Sequence, residues 1–507
     1  MNEQKTQHWA DAVASEVAAG GRPPVISTGI SPSGEIHIGN MREVLTADAV
    51  YRALNDLGVA TGFHFVADNF DPLRKVSPFL DRETYAPLVG RPLSEIPCPC
   101  GEHESYAAHF LEPFLESLGK LHVHVDVVRA DELYKSGRMN QRIVTALQRR
   151  DVIVAILKEL TGKDMGDDWS PFVPMCNACG RMNGTRVTGF DGGQETVDFT
   201  CKCGAAGTLP MAGGGKLQWR IDWPARWLTL GVTVEPFGKD HSTRGGSYDT
   251  GIRIAREVFE YEPPHPIPYE WISLKGQGDM SSSKGNVLSI GHMLKVVPPE
   301  VLRYMVMRAK PVKTIKFDPG RPLAQLVDQV DDATAKGRDE RAMELSRAAG
   351  FEPVGVPYKH LVMVAQVARF DLDRVMEILE RTGYPGVSRT AVADRLEYAS
   401  HWLAEFAPEE EKYTVQERLP EEAAGLTEDQ RRFLSLLAAG LNDGMEGAAI
   451  HDLIYHVSEQ FEGTPPAELF QAIYLSLLGK ARGPRAGSFI AILGPGFCKG
   501  RFAEAAG

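Results

Sequence analysis

Two separated stretches of this chain carry residue types that handle phosphate. Ser27 to Arg42 reads STGISPSGEIHIGNMR, a turn of serine, proline and glycine that opens an amphipathic run at His37. Gly276 to Asn286 reads GQGDMSSSKGN, a loop bearing serines and a lysine. At a helix start the first backbone N–H groups lack intrahelical partners and the dipole is positive, so an anion is favoured. An imidazole at His37 can donate to phosphate oxygens and stabilise charge growing on them. Gly39 lets a nucleotide approach the backbone, and Ser33 and Gly34 shape the preceding turn. In the second stretch Met280, Ser281, Ser282, Ser283 and Lys284 offer three hydroxyls and one ammonium, and such a lysine can neutralise a departing pyrophosphate. Each stretch alone has a plain alternative, an incidental histidine at a helix start or a solvated serine turn. Together they point to ATP activation rather than simple nucleotide binding.

The elements that must position these groups are legible around them. Val25 to Thr28 reads as a strand, and His37 to Leu57 as a helix closed by Gly58. Gly62 to Asp68 reads as a second strand. Strand, helix, strand at this spacing is a βαβ unit, so an α/β fold with a parallel sheet is expected. Tyr269 to Leu274 is expected to be one strand leading into the Met280–Lys284 loop. From about Arg91 the pattern is irregular, with cysteines, histidines and glycine clusters that suggest an insertion with its own small fold. Beyond Pro319 the chain reads as mostly helical, over Leu323–Asp331, Lys359–Thr382, Ser388–Phe406 and Thr427–Asn442. The domains expected are therefore 1–95 and 227–320, two halves of one catalytic domain, with an insertion at 96–226 and a helical domain at 321–507.

Of the 507 residues, 43% are hydrophobic and 24% charged, as in an ordinary globular protein. No apolar run approaches the roughly 18 residues of a membrane span, and the first twenty residues lack a signal-peptide pattern, so a cytoplasmic protein with no membrane partner is expected. The net charge of −12 argues against a generic nucleic-acid coat, though not against local basic surface. Lys336 to Arg338 and Lys480 to Arg485 are such basic points, and basic runs are usually solvated faces.

Six of the seven cysteines come in pairs, which in a cytosolic chain favours metal over disulfides. Cys176 and Cys179, with Cys201 and Cys203, form C-x₂-C and C-x-C knuckles, each followed by a glycine. Four thiolates fit a tetrahedral structural Zn²⁺; four reduced, unliganded thiols are the alternative. Cys98, Cys100, His103 and His109 form a second possible set, or ordinary surface residues, and Cys498 stands alone.

The paired phosphate stretches resemble the HIGH and KMSKS signatures of the class I aminoacyl-tRNA synthetases. The first reads His37-Ile38-Gly39-Asn40, with asparagine for the final histidine. The second reads Asp279-Met280-Ser281-Ser282-Ser283-Lys284, similar to a KMSSSK variant with its lysine two places late. Lys284 or Lys275 must then carry the positive charge. TGISPSGEIHIGNMREVLT from Thr28, LQWRIDWPARW from Leu217, EPFGKDH from Glu235 and YEWI from Tyr269 occur in the order seen in class I lysyl-tRNA synthetases. The resemblance spans about residues 20–320. It implies a Rossmann-type catalytic domain with a zinc-ribbon insertion that contacts the acceptor stem. It further implies ATP and Mg²⁺ as cofactors, L-lysine and tRNA(Lys) as partners, and a lysyl-adenylate intermediate. His37, Asn40 and Lys284 would be catalytic, and Gly29, Ser31, His241 and Tyr269 fall at amino-acid-pocket positions. The helical C-terminal part is similar in character to the anticodon-binding domains of this family, a bundle used only for dimerisation being the alternative.

A lysine site also needs apolar walls and an acid. Trp219, Trp223, Tyr269 and Trp271 are candidate walls, each equally readable as core. Glu270, Asp222, Asp68 and Asp240 are candidate acids, and composition does not choose among them. A synthetase for arginine, glutamate or cysteine, a small-molecule nucleotidylyltransferase and a non-catalytic RNA-binding paralogue are the competing functions.

Overall fold

The computed structural model describes residues 7–276, 278–280, 287–348 and 350–507. Five parallel strands form the central sheet: β1 (Val25–Ile30), β2 (Gly62–Ala67), β3 (Asp126–Arg129), β4 (Val234–Gly238) and β5 (His265–Tyr269). Their order across the sheet is β5-β4-β1-β2-β3. β1 runs in register with β2 from Val25 opposite Gly62 to Ile30 opposite Ala67, and meets β4 at Ile26 and Val234. Strand order reverses direction at β1. In open α/β sheets the crevice at such a switch point, at the carboxyl ends of the strands, is where ligands sit.

Five helices matter for the site: α1 (Trp9–Ala19), α2 (Ile38–Asp56), α3 (Tyr106–Lys120), α4 (Trp219–Leu230) and α5 (Ser247–Glu257). The helix expected from the signature is α2, one residue shorter at each end than His37–Leu57 because those two residues are its caps. It is buried along most of its length, including Val44, Leu45, Ala49, Val50 and Leu54. Its one fully buried cation is Arg42, whose guanidinium donates to the carbonyls of Trp271 at 3.2 Å and Lys313 at 2.6 Å. Burial lowers the Arg42 pKa to about 10. Arg42 thereby ties α2 to the chain that leads into the second phosphate stretch.

The single strand expected over Tyr269–Leu274 is two. β5 ends at Tyr269, and Ile272–Leu274 joins a different sheet, between Gly278–Asp279 and Ile315–Phe317. The break falls where the Glu270 N–H pairs with Pro311 and the Trp271 carbonyl with Ile315, outside either ladder. A run of apolar and aromatic residues cannot reveal a change of sheet. The expected helix Lys359–Thr382 is likewise two, Tyr358–Val367 and Leu372–Arg381. Arg369 and Phe370 take left-handed backbone angles, φ 54° and 59°, that no helix accommodates.

The insertion pairs Phe172–Pro174 with Gly215–Leu217 and holds a three-stranded antiparallel sheet, Thr185–Asp191, Thr196–Cys201 and Ala206–Pro210. The chain divides into two compact units: residues 1–294, 299–317 and 339–349, and residues 295–298, 318–338 and 350–507. The second is helical. Its core gathers Phe433, Leu437, Leu469, Ile473 and Phe489, and inside it Arg395 clasps Asp331 through two bonds of 2.9 and 3.0 Å. No helix among the described residues is long and apolar enough to cross a membrane.

Candidate active site

The two phosphate stretches meet. The Ile38 N–H donates to the Leu288 carbonyl at 3.0 Å, and His37 bridges to Ser289. A methyl group placed on Gly39 would lie 3.5 Å from Met280 Cε. Both flanks of the second stretch therefore touch the first turn of α2. Ser281, Ser282, Ser283 and Lys284 lie outside the described residues.

The expectation of free N–H groups at the start of α2 is not met. His37 Nδ1 accepts from the Gly39 N–H at 3.1 Å, the Asn40 N–H turns back to the His37 carbonyl, and Asn40 Oδ1 accepts from the His37 N–H at 3.2 Å. This is a capping box built from histidine and asparagine. Asn40 is thus a structural replacement, using its oxygen to cap and leaving its amide NH₂. With Nδ1 an acceptor, the neutral His37 ring carries its proton on Nε2. Burial pulls the His37 pKa down to about 4, so the ring is neutral near pH 7. Gly39 has a second reason besides nucleotide access: a Cβ there would stand 2.8 Å from the His37 ring. Ser33 is exposed and offers its carbonyl to the Tyr106 hydroxyl at 2.8 Å, while Gly34 is buried in the turn.

At the switch point lies a small cavity of about 100 Å³, lined by Ser27, Thr28 and Gly29 of β1, Glu43 of α2, Trp219, Trp223 and Arg226 of α4, Glu235 and Phe237 of β4, Asp68 and His241. It is well below the roughly 300 Å³ at which drug-sized ligands begin. Trp219 and Trp223 stack at 5.1 Å and 16°, and His241 closes on Trp223 at 5.4 Å. Burial lowers the His241 pKa from its ordinary value. Two of the expected walls thus line the cavity. Trp271 does not; it packs edge-on against Tyr269. Tyr269 acts through its hydroxyl, 2.7 Å from Glu43 Oε2, and the Gly29 N–H donates to Glu43 Oε1 at 2.9 Å. Ser31 lies farther out, its hydroxyl 3.3 Å from Asp71.

The four candidate acids fare differently. Glu270 pairs with Lys239, and Asp240 is exposed away from the cavity lining. Asp222 and Asp68 are buried but already paired. Arg226 reaches Asp68 at 2.7 Å and Asp222 at 3.1 Å, Tyr134 donates to Asp222 at 2.5 Å, and Lys216 binds Asp71. Among the described residues, the cavity-lining acids without an ion pair are two that composition did not suggest, Glu43 and Glu235. Burial raises the Glu43 pKa to about 7, despite the bonds from Gly29 and Tyr269 that lower it. Burial also raises that of Glu235 well above the usual carboxylate range, against the bond from Trp223 Nε1 at 2.8 Å. Glu43 sits three residues past Asn40 in α2, on the side of the helix that meets β1 and β5, a spacing that helix periodicity offered. Glu235 had no such signal.

The insertion's four cysteines converge. Their sulfurs lie within 4.8 Å of one another, with Cys176–Cys203 at 3.6 Å and Cys179–Cys201 at 3.8 Å. Zn–S bonds of about 2.3 Å at tetrahedral angles put sulfurs about 3.8 Å apart, so the set fits zinc. Gly180 and Gly204 take φ of 69° and 93° after the second cysteine of each knuckle. Cys98, Cys100, His103 and His109 also converge, with sulfur–Nδ1 distances of 3.2–3.5 Å. They are not scattered surface residues. Cys498 is buried in the helical unit.

A parallel sheet with the two stretches abutting the first turn of α2 is the arrangement expected of a class I synthetase catalytic domain. The chain belongs to that family: the model described as tRNA synthetases class I (K) matches residues 7–351. The chain is 51% identical to a lysine–tRNA ligase of Methanosarcina barkeri, over 99% of this chain and 98% of that one. It is 47% identical to a lysine–tRNA ligase of Archaeoglobus fulgidus, over 96% and 97%, and 39% identical to one of Methanococcus maripaludis, over 98% and 99%.

Proposed function

We propose that this protein is a lysine–tRNA ligase that charges tRNA(Lys) with L-lysine at the expense of ATP. The observation that carries the reading is Glu43, a half-buried carboxyl with no ion pair among the described residues, facing a narrow cavity walled by Trp219 and Trp223 beside the phosphate motifs. Such a site suits a four-carbon stem ending in an ammonium. Gly29, Tyr269 and His241 shape the pocket, and Ser31 lies at its outer edge.

In the first step a carboxylate oxygen of lysine attacks the α-phosphorus of ATP. The bond to the bridging oxygen breaks, giving lysyl-adenylate and pyrophosphate. In the second, a ribose hydroxyl at the tRNA 3′ end, the 2′-hydroxyl in this class, attacks the acyl carbon and AMP leaves. The protein aligns reactants and meets charge as it develops. His37 donates a neutral N–H from Nε2 to a phosphate oxygen, held in that tautomer by the Gly39 N–H on Nδ1. The Asn40 amide is a second donor. Lys284, with Met280 to Ser283, neutralises charge on the departing pyrophosphate, and Mg²⁺ bound with ATP would supply further positive charge there. Ser33, Gly34 and Gly39 border the triphosphate. Zinc at Cys176, Cys179, Cys201 and Cys203 is structural, because those thiols stand in the insertion rather than at the cavity. The same holds for metal at the Cys98 set. The insertion meets the acceptor stem, the helical unit reads the anticodon, and the protein works in the cytoplasm.

The test is aminoacylation, and ATP–pyrophosphate exchange, across the standard amino acids with and without tRNA(Lys). Lysine-dependent charging is expected. Charging with arginine, glutamate or cysteine instead, or none with any, would replace this reading.

A further inference from the structure

The amino-acid cavity is electrostatically incomplete. Five carboxyl groups surround it or adjoin it: Asp68, Asp71, Asp222, Glu43 and Glu235. They face two cations, Lys216 and Arg226, and both of those are spent on the aspartates. Among the described residues no ion pair reaches Glu43 or Glu235; their bonds come from the neutral donors Gly29, Tyr269 and Trp223. Four polar atoms around the cavity are buried without a partner: Thr28 Oγ1, Arg226 Nε, Glu235 Oε2 and Trp227 Nε1, the last two facing each other without a well-formed bond. Buried groups of this kind are rare unless something else satisfies them.

We propose that Glu235 is a second specificity determinant of the pocket, acting with Glu43 as a pair that gives up a bound proton when the side-chain ammonium of lysine enters. This deepens the lysine reading above and rests on it. Two carboxyls lining one narrow cavity, Glu235 buried and Glu43 half-buried, resist ionising together without a cation. Glu43 is faced by Gly29 from β1, Asp68 beyond β2, Tyr269 from β5 and Glu235 from β4. Glu235 is faced by Trp223, Arg226 and Trp227 from α4, by Glu43, and by Tyr248 of α5. The only cation in that set is Arg226, and its guanidinium is held by Asp68 and Asp222. The protein alone therefore keeps the pair partly protonated, in line with the direction burial drives both groups. An ammonium placed at Glu43 stabilises the carboxylate form of the pair, and a proton leaves to solvent. A neutral side chain of the same length gains nothing from that exchange, so it is refused by the same device.

Isothermal titration of L-lysine into the full-length protein at pH 7, in phosphate and in Tris, reads the proton directly. Wild type should release close to one proton per lysine, and its dissociation constant should fall as pH rises from 6 to 8. Glu235→Gln keeps an oxygen for Trp223 and removes only the titrating group. It should release less than half as much, raise KM for lysine about tenfold and leave kcat at saturating lysine within about threefold. Wild-type heats that do not differ between buffers would overturn the proposal even if the variant fails to fold. So would a Glu235→Gln protein with wild-type affinity and proton release, which would leave Glu235 a strut for Trp223. If wild type charges no lysine at all, the failure lies with the proposed function instead.

Discussion

Replacing Glu43 by glutamine separates what the pocket costs from what it does. The amide keeps an oxygen for the Gly29 N–H, and the Tyr269 hydroxyl can turn from donor to acceptor. Only the charge is lost. In wild type the Glu43 pKa is raised from 4.5 to about 7 by burial, so the ligand-free folded protein holds a proton there that the unfolded chain has released. Stability from this group is full below 4.5 and is lost as pH rises through 7. At about 1.36 kcal/mol per unit, the loss is about 3 kcal/mol above pH 7. Glu43→Gln escapes it. The variant should match wild type in thermal unfolding at pH 4.5 and exceed it by several degrees at pH 8, without ligand. Lysine recognition should move the other way. Truncating one partner of a buried charge pair costs about 2–5 kcal/mol, so KM for lysine should rise by about thirtyfold or more. A variant with wild-type KM would refute the assignment of Glu43 to the ammonium. A variant no more stable than wild type at pH 8 would refute the unbalanced-charge argument.

His37→Ala should lower adenylate formation about 10²–10³-fold, the loss typical of one transition-state donor, while lysine affinity measured by titration stays near wild type. Gly39→Ala should fall about as far, because its methyl would displace the His37 ring from 2.8 Å. Because burial keeps the His37 pKa near 4, kcat at saturating lysine should show no inflection near pH 6.5; a break there would mean an imidazolium works at the site. Elemental analysis of the purified protein should find about two zinc ions per chain. Cys179→Ser and Cys100→Ser should each remove one of them, and retention of both metals would refute the corresponding cluster.

The sequence carried the catalytic half of the fold because its signals are local. Strand, glycine turn and capped helix follow one another from Val25 to Leu57, and the second strand pairs with the first at the nearest register. The aromatic walls were named for the same reason: Trp219 and Trp223 are four apart on one helical face and stack. What was not legible is long-range. Glu43 and Glu235 lie on elements nearly two hundred residues apart and become a pair only when β1 and β4 are neighbours. Asp68 and Asp222 looked equally available in the sequence, and only the fold spends them on Arg226. The division of Tyr269–Leu274 between two sheets was hidden because both halves are apolar.

The first turn of α2 redistributes the work expected of it. Its N–H groups are consumed by His37, Asn40 and Leu288, so the helix start offers the triphosphate a dipole but few donors. His37 is neutral and Asn40 is uncharged. In the proposed reaction, positive charge at the α-phosphate comes from outside this turn, with the lysine of the second stretch and the cation that accompanies ATP as the candidates. Lys275 is the other lysine near that stretch, and it extends from the strand Ile272–Leu274 through its N–H to the Phe317 carbonyl. The two candidates separate cleanly. Lys284→Ala should depress pyrophosphate exchange by about 10²-fold or more, and Lys275→Ala by no more than a few-fold. The opposite ranking would move the positive charge from the loop to the strand end, and with it the identity of the residue that follows pyrophosphate out.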